Sequence, residues 1–181
     1  DKYCTYHVTE NPNGTEFIVD FFTSNIAKKK EKDEQQYVTD FIVKRLKEFV
    51  LSVSVTEPYS FRAGSIWHIK TDISAQLNDK SQLVEVLNVL HPTPAVCGFP
   101  KEKALQFINE NEGYDRKFYT GYLGLWNEEE ASANLFVNLR CLEVEENKIN
   151  IYVGCGITGE SNPEKEFLET EHKSQIMKSI L

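Results

Sequence analysis

The chain has 181 residues, of which 40% are hydrophobic and 27% are charged, a balance typical of a folded domain rather than a disordered segment. Its net charge of −8 excludes an extended nucleic-acid surface, because phosphate binding needs clustered lysine and arginine. No apolar stretch approaches the ~20 residues that are needed to span a bilayer.

The first half of the sequence predicts a turn, a strand, an extended segment and two helices. The turn is Asn11–Gly14 and the strand is Glu16–Phe22. Glu34–Val50 has apolar residues at helical spacing and predicts an amphipathic helix. Gly64–Leu77 predicts the extended segment. Ser81–Leu90 predicts the second helix, with its first residue as the N-cap.

The second half predicts two more helices and three strands. The prolines in His91–Ala95 end the preceding helix. A third helix is expected over Lys101–Glu110, and a last one follows Asn162-Pro163. Between them, alternating apolar residues predict strands over Tyr119–Trp126, Ser132–Val144 and Lys148–Gly154. Helices interleaved with an antiparallel meander predict an α+β fold, with an antiparallel β-sheet core and flanking helices.

The cysteines are widely spaced at Cys4, Cys97, Cys141 and Cys155. They form no C-x-x-C pair and have no histidine at zinc-finger spacing, which argues against a zinc site. We therefore expect reduced, mostly buried thiols in a cytoplasmic protein.

Acidic residues stand out on two of the predicted helices. Glu166 and Glu169 are three residues apart, so their carboxylates share a helix face, and Lys173 follows Glu169 at pairing distance. This spacing alone favours a solvated face with one salt bridge. The alternative is a Mg²⁺ site, because Mg²⁺ prefers carboxylate oxygens and keeps waters and a substrate anion. Glu34 near the start of the first helix suits the helix dipole or the same metal role.

Further polar residues allow anion binding. Gly154 and Gly156 follow a strand, where they either form a tight turn or bring backbone amides to an anion. Arg140 lies in an apolar alternating segment, where it either faces solvent or binds a carboxylate with its planar fork. His68 on the extended segment is either a buried structural histidine or a ligand contact.

Taken in chain order, several segments resemble the isochorismate synthases, a branch of the chorismate-binding enzymes. His91–Pro100 resembles the family's H-P-T-P-A-x-x-G-x-P, and Ser161–Lys173 resembles its S-x-P-x-x-E-x-x-E-T-x-x-K helix. The other matching segments are Lys30–Asp40 (K-[DE]-x-E-E-H-x-x-V-x-D), Trp67-His68 (W-H), Arg116–Gly121 (R-x-x-[YF]-x-G), Leu139–Cys141 (I-R-C) and Gly154–Ile157 (G-A-G-I).

The resemblance covers residues 30–181 and implies the C-terminal part of a chorismate-binding domain, a partial anthranilate synthase component I-like fold. Residues 1–29 are left as an N-terminal segment without a clear assignment. The implied reaction converts chorismate to isochorismate for menaquinone or siderophore synthesis, by adding water at one ring carbon with loss of hydroxide at another.

The resemblance also implies roles for individual residues. Mg²⁺ would bridge the chorismate ring carboxylate and three glutamates, Glu34, Glu166 and Glu169. The pyruvyl carboxylate would be held by Arg140, Tyr119 and the amides of Gly154 and Gly156. His68 would lie near the ring carboxylate, and Lys173 would help to fix the anionic end. Ala95 stands where the family's salicylate synthases have threonine, which favours isochorismate as the product.

The sequence departs from the family at several positions. The family's lysine base on an early strand and its glutamate acid in a G-x-[ST]-P-E turn are not found, and Asp33 and Gln35 replace a glutamate and a histidine. A truncated domain of this kind is expected to bind Mg²⁺ and part of the ligand, but to catalyse poorly. The alternatives are a salicylate or anthranilate synthase-like enzyme, and a non-catalytic remnant that binds an anionic ligand or a partner protein.

Overall fold

The computed structural model describes residues 2–24, 29–63, 66–127, 129–130 and 132–181, without the side chains at 2–3, 23–24, 29–34, 63 and 66. The strands in this part of the chain are β1 (Lys2–Asn11), β2 (Gly14–Ser24), β3 (Val50–Val55), β4 (Tyr59–Ala63), β5 (Ile66–Leu77), β6 (Tyr122–Asn127), β7 (Ser132–Val137), β8 (Cys141–Val144) and β9 (Ile149–Tyr152). The α-helices are α1 (Lys29–Leu46), α2 (Leu83–Leu90), α3 (Pro94–Cys97), α4 (Lys101–Asn111) and α5 (Pro163–Lys178).

Seven of the described strands form one antiparallel sheet in the order β3-β5-β2-β1-β7-β6, with β4 also paired to β5. The long β5 is paired on one edge with β3, through Ile73–Leu77, and with β4, through Ile66–Lys70. β8 and β9 form a separate two-stranded sheet. This arrangement confirms the predicted antiparallel core with flanking helices.

One face of the large sheet is buried under helices. Alternate residues of β2, namely Phe17, Val19 and Phe21, are fully buried. They share a core with apolar side chains of α1 and α2, including Ile42 and Leu87. The β1–β2 hairpin therefore lies in the middle of the sheet, although the sequence left residues 1–29 without a clear assignment.

The opposite face carries half-buried charges. The Lys70 ammonium lies 3.1 Å from an Asp20 oxygen and 2.7 Å from an Asp72 oxygen. It also lies over the rings of Phe22, Tyr59 and Phe61 at 5.3–5.9 Å from their centroids. Aromatic faces and carboxylates thus surround this ammonium, and the pairing keeps the charges compatible with partial burial.

Three predictions about local structure were wrong. The predicted strand Ser132–Val144 is interrupted, because β7 ends at Val137 and β8 begins at Cys141. Arg140 between them has a left-handed backbone (φ 51°), which cannot continue a strand. Since β7 and β8 enter different sheets, the predicted meander is also wrong. Ser81 is not an N-cap; its amide instead donates to the Asp79 carboxylate at 2.8 Å, in a short 3₁₀ turn before α2.

The cysteines are free thiols, as expected, with Cys4 and Cys97 buried and Cys141 and Cys155 half-buried. Within the described ranges, no helix combines the length and apolar composition that a membrane crossing requires.

Leu87 tests the packing of α2 on the sheet. It is 1% exposed, whereas Val84 in the same helix is 54% exposed. Leu87→Ala is expected to lower the free energy of unfolding by about 2–5 kcal/mol, because it leaves a cavity in the core. Val84→Ala, the matched control, should change it by less than about 0.5 kcal/mol. Urea unfolding followed by circular dichroism measures both, and equal effects would contradict the described core.

The His91 ring links the sheet to the loop that precedes β6. Its Nε2 lies 2.7 Å from the Thr120 carbonyl oxygen, which can only accept, so Nε2 carries the proton. Nδ1 then accepts from the Tyr6 hydroxyl at 3.4 Å. Burial lowers the pKa of His91 below its usual 6.5, with Lys101 acting in the same direction and the bond to Thr120 opposing it.

We expect this neutral His91 to make stability depend on pH. Below pH 6.5 the unfolded chain takes up a proton at His91 that the folded chain resists, so the free energy of unfolding falls as the pH is lowered. His91→Gln should flatten part of this dependence in urea titrations, whereas His172→Gln, at an exposed position of α5, should leave it intact. An unchanged slope in His91→Gln would contradict the neutral, half-buried ring.

Candidate active site

The C-terminal helix places Glu166, Glu169 and Lys173 on one face, as the sequence predicted. The helix begins where the Asn162 side chain accepts a hydrogen bond from the Lys165 amide at 3.0 Å, with Pro163 in the first turn. The Lys173 ammonium lies 2.7 Å from Glu169 Oε1 and donates to the Gly154 carbonyl at 2.8 Å. Lys173 therefore connects α5 to the loop that follows β9.

Tyr119 reaches the same loop from the other side. Its ring is 7% exposed and stacks on Tyr152, with centroids 5.7 Å apart. A Cβ atom at position 154 would lie 2.7 Å from the Tyr119 hydroxyl, so the close approach requires the glycine that is present. Burial raises the pKa of Tyr119 to about 12, despite the opposing effect of Arg116. The hydroxyl is therefore protonated at neutral pH and can donate to an anion.

Arg140 is half-buried and directly precedes β8. Burial lowers the pKa of its guanidinium, while the negative charge of Glu169 opposes that change. The side chain therefore lies within electrostatic range of α5, and it remains charged at neutral pH.

Left-handed backbone is concentrated around this site. In the described ranges, the non-glycine residues with positive φ are Lys117 (49°), Thr120 (64°) and Arg140 (51°). The first two flank Tyr119, and the third carries the candidate guanidinium. Such conformations cost about 1–2 kcal/mol each and are typical of functional sites, where the surrounding structure holds them in place.

Cys155 lies beside the acidic face of α5. Burial raises the pKa of its thiol, and the charges of Glu166 and Glu169 raise it further. The thiol is therefore protonated at neutral pH, and the two glutamates are the stronger candidates for binding a hard cation.

The two glutamates suit Mg²⁺, which is commonly held by one or two carboxylates together with waters and substrate oxygens. Both carboxylates lie at the surface of α5, with Glu166 half-buried and Glu169 exposed. Among the side chains that the structure describes, no three acidic, histidine or cysteine groups converge as a metal cluster. The predicted third ligand, Glu34, lies on α1, but its side chain is outside the described ones, so its role stays a prediction.

The remaining predicted residues lie at different places in the fold. Gly156 is exposed in the loop after β9. Ala95 lies on α3, packed against the main core. His68 is 4% exposed on β5, edge-on to Phe22, and burial lowers its pKa. Gln35, at the family's histidine position, is buried and donates to the Thr71 hydroxyl at 2.8 Å.

Two residues near the site were given no role in the sequence analysis. Arg116 lies with its guanidinium 5.7 Å from the Tyr119 ring centroid, and His91 binds the Thr120 carbonyl. Both lie in segments that resemble family motifs, and this resemblance is the sequence feature that could have marked them as site residues. Motifs record residue identity but do not show which partner each side chain binds.

Comparison with known proteins identifies the family of this chain. A model of the chorismate-binding enzyme family matches residues 23–181. Isochorismate synthase DhbC of Bacillus subtilis is 34% identical over 154 residues, which cover 84% of this chain and 38% of that protein. The chain thus spans about two fifths of this relative's length.

Solved structures share the fold. MenF, the menaquinone-specific isochorismate synthase of Escherichia coli, superposes with a TM-score of 0.84 at 24% identity, over 97% of this chain and 44% of that one. Anthranilate synthase component I of Streptococcus pneumoniae gives a TM-score of 0.79 at 20% identity, over 94% and 41%. The extent of the family match, together with the identity to DhbC, shows that the chain belongs to the family of chorismate-binding enzymes.

Proposed function

We propose that this chain is the part of an isochorismate synthase that binds chorismate together with Mg²⁺. The observation that carries the proposal is the convergence of Tyr119, Lys173 and Gly154 at one loop, with Arg140 and two glutamates close by. Chorismate carries two carboxylates, so a site with separate cationic and metal-binding groups suits it.

The cationic side of the site is assigned to the pyruvyl carboxylate. Arg140 offers a planar fork for two carboxylate oxygens, and the protonated Tyr119 hydroxyl offers a further donor. Gly154 and Gly156 leave the loop backbone open to a close approach by the anion. Lys173 holds Glu169 and the loop together, so it contributes position as well as charge.

The acidic side is assigned to the metal. Glu166 and Glu169, with Glu34 as the further candidate, would hold Mg²⁺ against the ring carboxylate. When bound, Mg²⁺ would neutralise that carboxylate and fix the orientation of the ring. Glu169 is already oriented by Lys173 through one of its oxygens, which leaves the other available.

Turnover is assigned to a complete enzyme rather than to this chain. Adding water to chorismate requires a base for the water and an acid for the leaving hydroxide, and the motifs for both are not found in these 181 residues. Ligand binding is therefore the property to test. Ala95 on α3, in place of threonine, supports isochorismate as the product of the complete enzyme.

Arg140→Lys tests the carboxylate site. The purified chain is expected to bind chorismate in the presence of Mg²⁺, as measured by isothermal titration calorimetry. The variant keeps the charge but loses the planar fork, so binding should weaken about 10–100-fold, the equivalent of roughly 1.5–3 kcal/mol. Arg45→Lys is the control, since Arg45 pairs with Glu102 at 3.5 Å on the exposed surface. Equal affinities of wild type and Arg140→Lys would contradict the assignment.

Glu169→Gln tests the metal site. Mg²⁺ binding in the presence of chorismate should weaken by at least about tenfold, because even partners outside the ligand shell commonly contribute that much. Glu171→Gln removes the same charge two residues away, at an exposed position that lies near Lys178, and should leave Mg²⁺ affinity near the wild-type value. If both variants lose affinity equally, only the overall charge of α5 matters and the ligand role is wrong.

A further inference from the structure

The loop between α4 and β6 carries Tyr119 and contains two residues in an unfavourable backbone conformation. Lys117 and Thr120, on either side of Tyr119, are both left-handed, at φ 49° and 64°. Residues with a Cβ atom rarely adopt this conformation, so neighbouring groups must hold it. The Thr120 amide donates to the carbonyl of Asn138 at 2.9 Å. Asn138 directly follows β7, so this hydrogen bond joins the loop to the end of that strand.

Arg116 contacts the loop and both helices that precede it. Its Nε and Nη2 bind the two oxygens of the Glu112 carboxylate, at the end of α4. Its Nη1 donates to the Val96 carbonyl on α3 at 3.3 Å and to the Thr120 hydroxyl at 3.4 Å. The guanidinium also lies 5.7 Å from the centroid of the Tyr119 ring. One side chain thus connects α3, α4 and the loop.

From this geometry we infer that Arg116 is a positioning residue for Tyr119. Glu112 fixes the plane of the guanidinium, which in turn donates to the Thr120 hydroxyl and lies close to the Tyr119 ring. The Tyr119 hydroxyl is thereby held against Gly154, where no side-chain atom of residue 154 intervenes. The inference rests on the proposed function in one respect, namely that Tyr119 meets the ligand carboxylate.

Arg116 also connects the loop to α3. Val96, whose carbonyl accepts from Arg116, directly follows Ala95. A shift of α3 would move the Arg116 plane and hence Tyr119. The contacts need several donors in one plane, which arginine has and lysine lacks. Lysine at position 116 would keep the charge, but it could not donate hydrogen bonds to Glu112, Val96 and Thr120 at the same time.

The test combines backbone exchange with ligand binding in Arg116→Lys and Arg116→Met. Amide hydrogen exchange measured by NMR should become about tenfold faster at Thr120 and Gly121 in both variants, because the loop loses the guanidinium hydrogen bonds that join it to Glu112 and Val96. Lys103→Met, which removes a positive charge at an exposed position of α4, should leave these rates unchanged. Thermal unfolding verifies that each variant is folded, and Arg116→Lys is the milder change.

A double-mutant cycle with Tyr119→Phe then tests the route through the Tyr119 hydroxyl. Arg116→Met should weaken chorismate binding about tenfold when Tyr119 is present and by less than about twofold in the Tyr119→Phe background. A purely structural role would give equal losses in both backgrounds, and that result would overturn the inference.

The outcomes separate this inference from the proposed function. Unchanged exchange at Thr120 and Gly121 would overturn the positioning role, whatever the affinity for chorismate. Faster exchange in a protein whose wild type binds no chorismate would support the positioning of the loop and contradict the proposed function instead.

Discussion

The Lys173 ammonium holds the two parts of the candidate site together. Helix α5 exposes much of its apolar surface, including Phe167, Leu168 and Ile176, so hydrophobic burial contributes little to its position. The salt bridge from Lys173 to Glu169 and its hydrogen bond to the Gly154 carbonyl therefore contribute much of the attraction between α5 and the loop. Lys173 is 16% exposed, and a charge-assisted hydrogen bond in such a place contributes roughly 1.5–3 kcal/mol. The loop in turn meets Tyr119, which extends the connection to the large sheet.

The charges around this connection explain why a dicarboxylate would need a metal here. Arg140 and Lys173 are positive, but Glu166 and Glu169 present negative charge on the same side of α5. A ligand with one carboxylate could use the cations alone. A second carboxylate near the glutamates would be repelled unless a divalent cation stood between them. The charge balance of the side chains thus supports the proposed Mg²⁺, in addition to the resemblance to relatives.

The sequence predicted correctly those structural features that depend on residues close together in the chain. The helix over Pro163–Lys178 follows from the start signal Asn162-Pro163, and the glutamate pair follows from helical periodicity. The β1–β2 hairpin was only partly predicted, because its turn is a local signal whereas its central place depends on pairing with β5 and β7. The break at Arg140 was missed since Leu135, Val137, Leu139 and Cys141 alternate across it as in a strand. Alternation reports side-chain burial, and it cannot report a change in backbone φ.

Arg140 combines two demands that ordinarily belong to different amino acids. Its backbone position would suit glycine or asparagine, whereas its proposed chemistry requires a guanidinium. Selection for thermostability alone would favour the small residue, since it would relieve about 1–2 kcal/mol of conformational cost. Selection for ligand binding would keep the arginine. In a laboratory evolution experiment that selects for folding without ligand, Arg140 should therefore be replaced early, whereas the well-packed core residues should be retained.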